Sequence, residues 1–101
     1  MKKIFKYTLE ITDRQEIEMQ DGEWLDILCV KEQNGNICLW AIVDPSAPMA
    51  KRKFAIYGTG HPMPDDLSDH AYLGTVQTYI VEGNCGGKNT TEFVWHVFEI
   101  C

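Results

Sequence analysis

Apolar and polar residues alternate along most of the chain, and a period of two is typical of half-buried β-strands. Residues 4–11, IFKYTLEI, show the pattern clearly, because Phe5, Tyr7 and Leu9 would share one face of a strand. Comparable runs predict strands over residues 4–11, 16–19, 24–32, 37–44, 51–58, 71–83 and 92–101. Residues 37–44 are apolar on both faces, so we expect this strand to be central in the sheet system.

Turn residues separate the predicted strands. Asn34-Gly35 lies between two apolar runs and predicts a hairpin with a type I′ turn, which needs positive φ at both central residues. Gly74 interrupts residues 71–83 and predicts a β-bulge or a close backbone approach. The pattern therefore predicts an all-β fold, a single small sandwich or open barrel of about seven mostly antiparallel strands, with at most one short helical turn near residues 64–71. We expect residues 1–101 to form one domain.

The net charge and hydropathy of the chain argue against two classes of partner, nucleic acid polymers and membranes. The formal net charge of −6 disfavours binding to a nucleic acid polymer, although one or two basic groups in a pocket can hold a small nucleotide. No run approaches the roughly 18–20 apolar residues that a membrane span needs. The alternating N-terminal residues also lack the apolar region of a secretory signal. We therefore expect a protein of the cytosol without a membrane partner, whose cysteines at positions 29, 38, 85 and 101 are free thiols.

The chain offers no persuasive catalytic set. Its three histidines are His61, His70 and His96, and neither of its serines lies in a strained nucleophile elbow. The histidines and acids of residues 61–70 are metal-ligand types, but their spacing fits no known site, and we expect the acids to solvate a loop and cap its turn. His96 lies in a predicted strand and is expected to be an inward or edge residue. We predict no catalytic residue, metal or cofactor, with a His/Asp hydrolase as the minor alternative.

The stretch FAIYGTGHPMPDDLSDH, residues 54–70, is the best candidate for a binding site. Its glycines could form a small anion nest, and a histidine on a loop stiffened by prolines could bind a ligand. The same glycines also fit a tight corner, and the histidine could instead tie the loop to its own sheet. The basic residues 51–53 either hold an anion or protect a strand edge. The predicted ligand-binding residues are Arg52, Lys53, Tyr57, Gly58, Thr59, Gly60 and His61.

The tryptophans are expected to divide between the core and the surface. Trp40 and Trp95 lie in apolar runs and are expected in the core. Trp24 follows a turn and is expected to be exposed. An exposed aromatic ring beside a basic group can stack on a base or sugar.

Four elements, CLWAIVDP, GTGHPMPDD, YLGTVQ and VWHVFE, give the chain a wider resemblance. Together they resemble a family of short uncharacterised proteins found mostly in phages and prophages, and the resemblance covers nearly the whole chain. The chain departs from that pattern in QDGEWLDILCV, so Trp24 is not carried over as a shared site. The resemblance implies an all-β domain and a phage setting, but no mechanism.

These observations favour a non-enzymatic, phage-encoded binding protein acting in the host cytosol. Its expected role is counter-defence, in which a homo-oligomer sequesters a small nucleotide-type immune signal without cleaving it. Such a protein needs a preformed pocket and a few polar groups, but no general base. The alternative is a protein-binding or virion accessory module that inhibits or assembles with a host protein. The ligand, the host system and the strand order stay open at this point.

Overall fold

Seven β-strands make up the regular structure of this computed structural model. It describes the backbone of residues 1–84 and 87–101, and the side chains of residues 1–79 and 91–101. The strands are β1 (Lys3–Leu9), β2 (Gln15–Gln20), β3 (Asp26–Gln33), β4 (Asn36–Val43), β5 (Met49–Gly58), β6 (His70–Asn84) and β7 (Gly87–Ile100).

The strands form two antiparallel sheets that pack as a small sandwich. Sheet A has the order β1-β4-β3, and sheet B has the order β2-β5-β7-β6. The predicted all-β class is confirmed, and the described residues contain no helix. The described residues therefore include no helix that is long and apolar enough to cross a bilayer. The predicted central position of residues 37–44 is also confirmed, because β4 lies between β1 and β3.

The core lies between the two sheets and follows the period of two. β4 contributes Ile37, Leu39, Ala41 and Val43, all fully buried, and these alternate with outward-facing residues. The opposing residues of sheet B include Phe54, which is also 0 % exposed. Burial of these apolar side chains is the main force that holds the two sheets together. Each sheet therefore has one face in the core and one face turned away from it.

The order of strands in sheet B determines where the ends of β5 and β6 lie. Both strands pair antiparallel with β7, so they run parallel to each other on either side of it. Gly58, the last residue of β5, pairs with Trp95, whereas His70, the first residue of β6, pairs with Ile100. The connection between them, residues 59–69, therefore spans sheet B lengthwise, from the Trp95 end to the Ile100 end.

Two local predictions from glycines are confirmed. Asn34 and Gly35 have φ of 52° and 84°, as the type I′ hairpin between β3 and β4 requires. The pairing of β6 with β7 shifts register between Tyr72 and Gly74, which is the predicted bulge. A Cβ at Gly74 would lie 2.6 Å from Val30 Cγ2, so this position also allows a close approach of the two sheets.

We expect Gly74→Ala to lower the free energy of unfolding by about 1–3 kcal/mol, the usual cost of overpacking. The added methyl group meets Val30, a buried β-branched side chain with little freedom to move away. Urea unfolding measures the loss. The matched test combines Gly74→Ala with Val30→Ala, which removes the methyl groups that the new Cβ would meet. The double variant should lose less stability than the sum of the losses of the two single variants. Strict additivity would contradict the proposed contact.

The tryptophans depart in part from prediction. Trp40 was expected in the core, but it is only half-buried, because its register partners Lys6 and Cys29 put it on the outward face of sheet A. Trp95 is half-buried and packs against the core, as expected. Trp24 is 40 % exposed, which confirms its predicted position at the surface. The ammonium group of Lys2 lies 5.2 Å from the centre of its ring.

The described cysteines are free thiols, as predicted. Cys38 is buried, Cys29 is half-buried, and Cys101 is exposed. Cys29 pairs with Trp40 on the outward face of sheet A, and this position accounts for its partial exposure. Cys85 lies outside the described residues.

Candidate functional site

The seven predicted ligand-binding residues lie in two groups at opposite ends of β5. Tyr57 and residues 58–61 lie towards the Trp95 end, and Arg52 and Lys53 lie at the Ile100 end. The spacing from Lys53 to Gly58 corresponds to about 17 Å at ~3.3 Å per residue of extended strand. The structure therefore does not bring the seven residues into one pocket, and a small ligand would contact only one group.

The turn at residues 58–61 is packed against its own sheet. The backbone N–H of His61 donates to the carbonyl of Gly58 at 3.0 Å, and Gly60 has a positive φ of 86°. A Cβ at Gly58 would lie 2.7 Å from the His61 ring and 3.0 Å from Trp95. Glycine is required at position 58 by crowding and at position 60 by backbone conformation. Of the two interpretations of His61, this contact favours the one in which it ties the loop to the sheet.

Tyr57 is buried on the face of sheet B that points away from the core, where it meets His70. The Tyr57 hydroxyl lies 3.1 Å from His70 Nε2, and Asp69 Oδ1 lies 2.7 Å from His70 Nδ1. A carboxylate only accepts, so Nδ1–H donates to Asp69; in a neutral imidazole this leaves Nε2 as the acceptor for the Tyr57 hydroxyl. Tyr57 is 3 % exposed and the His70 side chain is 1 % exposed, so this chain of hydrogen bonds is closed to solvent except at Asp69.

A second histidine forms a more open chain of hydrogen bonds on the same face. His96 Nε2 lies 2.9 Å from the hydroxyl of Thr59, and its Nδ1 lies 3.1 Å from that of Thr75. Thr75 in turn bonds to the hydroxyl of Tyr72, which is 60 % exposed. A neutral imidazole has one donor and one acceptor, so one threonine donates to His96 and the other accepts. His96 is thus satisfied within the sheet, but it lies on the outward face of the inner strand β7, whereas an edge or inward position was predicted.

Arg52 is committed to an internal ion pair. Both Nε and one terminal nitrogen of its guanidinium donate to the carboxylate of Glu99, and Asp21 lies 3.4 Å away. Glu99 is 9 % exposed, so the pair is largely withdrawn from water. The hydrogen bond to Glu99 raises the pKa of the Arg52 guanidinium. Arg52 therefore neutralises a buried carboxylate and has little capacity left for a ligand.

Lys53 lines a groove at the Ile100 end of sheet B, which we call the basic groove. Its lining residues are Arg14, Asp21, Lys51, Arg52, Lys53, Asp69, Glu99, Ile100 and Cys101. Its volume is about 480 Å³. A second hollow of about 270 Å³ shares Arg14, Lys53 and Ile100 and adds Phe54, so the two adjoin. Arg14 and Lys53 form no ion pair among the residues that the structure describes.

Three acids line the basic groove, and a fourth, Glu16, lines the adjoining hollow; each is already paired with another group. Asp21 and Glu99 face Arg52, and Asp69 faces His70. Glu16 lies 4.0 Å from Lys51, but both side chains are at least half exposed, so this pair is weak. Cationic groups without strong internal partners therefore converge here, in a chain whose net charge is −6.

Sequence reasoning identified Lys53 but missed Arg14 as its neighbour. Arg14 lies in the turn TDRQ before β2, and only the pairing of β2 with β5 brings it to Lys53. The pairing of Arg52 with Glu99 was also missed, because the two residues are 47 positions apart in sequence. No local pattern in the sequence signals either contact.

Asp66 caps a turn within the connection between β5 and β6, as predicted from the sequence. The backbone N–H of Ser68 donates to Asp66 Oδ1 at 2.9 Å, which closes a turn. This bond lowers the pKa of Asp66 below its usual value. Among the described side chains, no three histidine, cysteine or acidic residues group in a way that could hold a metal ion.

Comparison with known proteins identifies a family to which the sequence is similar. A family model described as "Domain of unknown function (DUF7352)" matches residues 1–100, almost the whole chain. No curated protein and no solved structure matches the chain.

Proposed function

The chain belongs to the family DUF7352, a domain of unknown function, and we propose that its basic groove binds the phosphates of a small nucleotide-type ligand. The observation that carries this proposal is the convergence of Arg14, Lys51 and Lys53 on one groove of about 480 Å³. Pockets for small ligands have volumes of about 300–1,000 Å³, so this groove is large enough. The protein would act by sequestering the ligand and would not be an enzyme.

The chemistry of the groove suits a phosphate better than a neutral ligand. Arginine and lysine form charge-assisted hydrogen bonds with phosphate oxygens, and such bonds are about twice as strong as neutral ones. Ile100 and Phe54 add an apolar wall in the adjoining hollow, against which a base or sugar ring can lie. Lys53, whose amino group forms no ion pair with a described side chain, is the residue we expect to contribute most.

The histidine networks support binding rather than catalysis. Asp69, His70 and Tyr57 resemble a catalytic relay in their order, but the Tyr57 hydroxyl at its end is buried and already bonded to His70. A nucleophile or general base must reach the reacting atom of a substrate. We therefore assign these three residues to the support of sheet B.

The biological setting is part of the proposal. The resemblance of the chain to short phage and prophage proteins supports a phage origin and a counter-defence role in the host cytosol. A nucleotide immune signal carries the phosphates that the groove fits, and holding it without cleavage would silence it. This requires high affinity but no turnover.

Calorimetric titration against cyclic mononucleotides, cyclic dinucleotides and ADP-ribose tests the proposal. We expect micromolar or tighter binding of at least one of them, weakened about tenfold by either Arg14→Gln or Lys53→Gln, because each removes a charge-assisted contact. Binding should also weaken with increasing salt. Lys31→Gln, an exposed change on sheet A, is the matched control and should leave affinity unchanged.

Two outcomes contradict the proposal. The first is no binding to any nucleotide of the panel at micromolar concentration. The second is binding that Arg14→Gln and Lys53→Gln leave intact, which would put the ligand elsewhere on the molecule.

A second candidate function, binding to a host or virion protein, is favoured by the outward face of sheet A. There Ile4 is 60 % exposed and Leu28 is 48 % exposed, and both line a hollow of about 350 Å³ with Trp40. Apolar groups clustered on a surface are typical of protein contacts. Pull-down from infected cells separates the candidates, since a stoichiometric protein partner lost on Leu28→Lys favours this second one.

A further inference from the structure

β6 forms an edge of sheet B whose outer side is open. It pairs with β7 through its whole length, from His70–Ile100 to Asn84–Gly87, and has no hydrogen-bonded neighbour on its other side within the described part of the chain. An open edge exposes unpaired backbone N–H and C=O groups that readily bind another strand. β6 has 15 residues, so this open edge is long.

The other edges of the two sheets carry several charges that discourage strand addition, whereas β6 has one, Glu82, near its C-terminal end. Lysines and acids within an edge strand discourage pairing with another chain. The protected edges have Lys3 and Lys6 in β1, Glu16 and Glu18 in β2, and Asp26, Lys31 and Glu32 in β3. In β6, residues 70–81 contain no lysine, arginine, acid or proline, and are rich in β-branched and aromatic residues.

We propose that β6 pairs antiparallel with β6 of a second copy of this chain, which joins two copies of sheet B into one continuous sheet. A two-fold axis relates such strands. A residue that lies a given number of positions before the axis in one copy therefore pairs with the residue that lies the same number of positions after it in the other. Pairing of the full strand, residues 70–84, places the axis at its midpoint, Gln77. Gln77 then lies opposite the partner's Gln77.

The register centred on Gln77 is self-complementary. Thr75 lies opposite the partner's Tyr79, and Val76 lies opposite the partner's Thr78. Aromatic and β-branched side chains are favourable cross-strand pairs in antiparallel sheets. Tyr79 is 59 % exposed in the single chain, and this pairing would cover it. The inference concerns the edge of sheet B alone and does not depend on a ligand in the basic groove.

Sedimentation equilibrium of the full chain, with Gln77→Lys, Gln77→Glu and Thr91→Lys variants, tests the proposal. The wild type should be a dimer at micromolar concentration. Gln77→Lys and Gln77→Glu each place like charges opposite each other at the axis, and should weaken dimerisation by at least about thirtyfold. Thr91→Lys, in β7 of the same hairpin, is the control and should remain a dimer.

Mixing the two Gln77 variants separates loss of pairing from loss of folding. An equimolar mixture should restore a dimer that contains one copy of each variant, because lysine then faces glutamate. A monomeric wild type, dimers that persist in both Gln77 variants, or a mixture that stays monomeric would each overturn the proposal. A wild type that is monomeric alone but adds a strand from another protein would overturn it as well.

Discussion

Arg52→Ala is expected to lower the free energy of unfolding by about 2–3 kcal/mol, just below the ~3–5 kcal/mol cost of breaking a fully buried ion pair. The loss comes from Glu99, which is 9 % exposed and would keep its charge without the two hydrogen bonds that Arg52 donates. Asp21 contributes little, because its side chain is half exposed. Urea unfolding of the wild type and the variant measures the difference.

The partner of Arg52 provides the control for this prediction. Glu99→Leu alone leaves Arg52 with Asp21 and with solvent, because a quarter of its side chain is exposed, so it should cost less than Arg52→Ala. Arg52→Met combined with Glu99→Leu removes both charges and should recover most of the stability lost in Arg52→Ala. If Arg52→Ala instead lowers nucleotide affinity while leaving stability unchanged, then Arg52 binds the ligand and its structural role is wrong.

His70→Ala is expected to cost about 2–4 kcal/mol, since it combines a cavity with an unpaired hydroxyl. The imidazole is 1 % exposed and packs edge-on against Phe98, with ring centroids 5.7 Å apart. Its removal also leaves the buried Tyr57 hydroxyl without its partner. Thermal and urea unfolding of the variant should show the loss.

Two further variants test the contributions of the unpaired hydroxyl and of burial to this loss. Tyr57→Phe added to His70→Ala removes the orphaned hydroxyl and should recover about 1 kcal/mol of the loss. His96→Ala, which removes the histidine whose partners Thr59 and Thr75 are exposed, should cost clearly less than His70→Ala. Equal losses for His70→Ala and His96→Ala would contradict the difference in burial on which this prediction rests.

Local chemistry allowed much of the fold to be predicted from the sequence. The type I′ turn at Asn34-Gly35 depends on two adjacent residues that tolerate positive φ, and the bulge at Gly74 depends on one missing side chain. The central position of β4 follows from apolar residues at every position from Ile37 to Val43. Each of these signals lies within a few residues of the feature it predicts.

The candidate site was harder to predict, because long-range register assembles it. Arg52 and Lys53 are neighbours in sequence and both line the basic groove, but they point to opposite faces of β5, and Arg52 is paired there with Glu99. Tyr57 and His61 were predicted as one site, although Tyr57 bonds to His70 and His61 packs on Trp95. Which neighbour each residue meets depends on the pairing of β5, β7 and β6.

The glycines of the 58–61 turn show a prediction that was right about one residue and wrong about the other. Gly60 takes up the positive φ expected at a tight corner. Gly58 does not, and is required instead because the His61 ring occupies the space of its Cβ. The sequence signals that glycine is needed at both positions, but not whether conformation or crowding is the reason.

Amide NMR of the labelled protein, titrated with ADP-ribose and the cyclic dinucleotides, tests the central claim most directly. The claim predicts saturable shifts at Arg14, Lys51, Lys53 and Ile100, with the turn at residues 58–61 unaffected by the ligand. The same shifts should be lost in Lys53→Gln and kept in Lys31→Gln. Shifts confined to residues 58–61 and Trp95, or no shifts with any of these nucleotides, would contradict the assignment of the basic groove as the binding site.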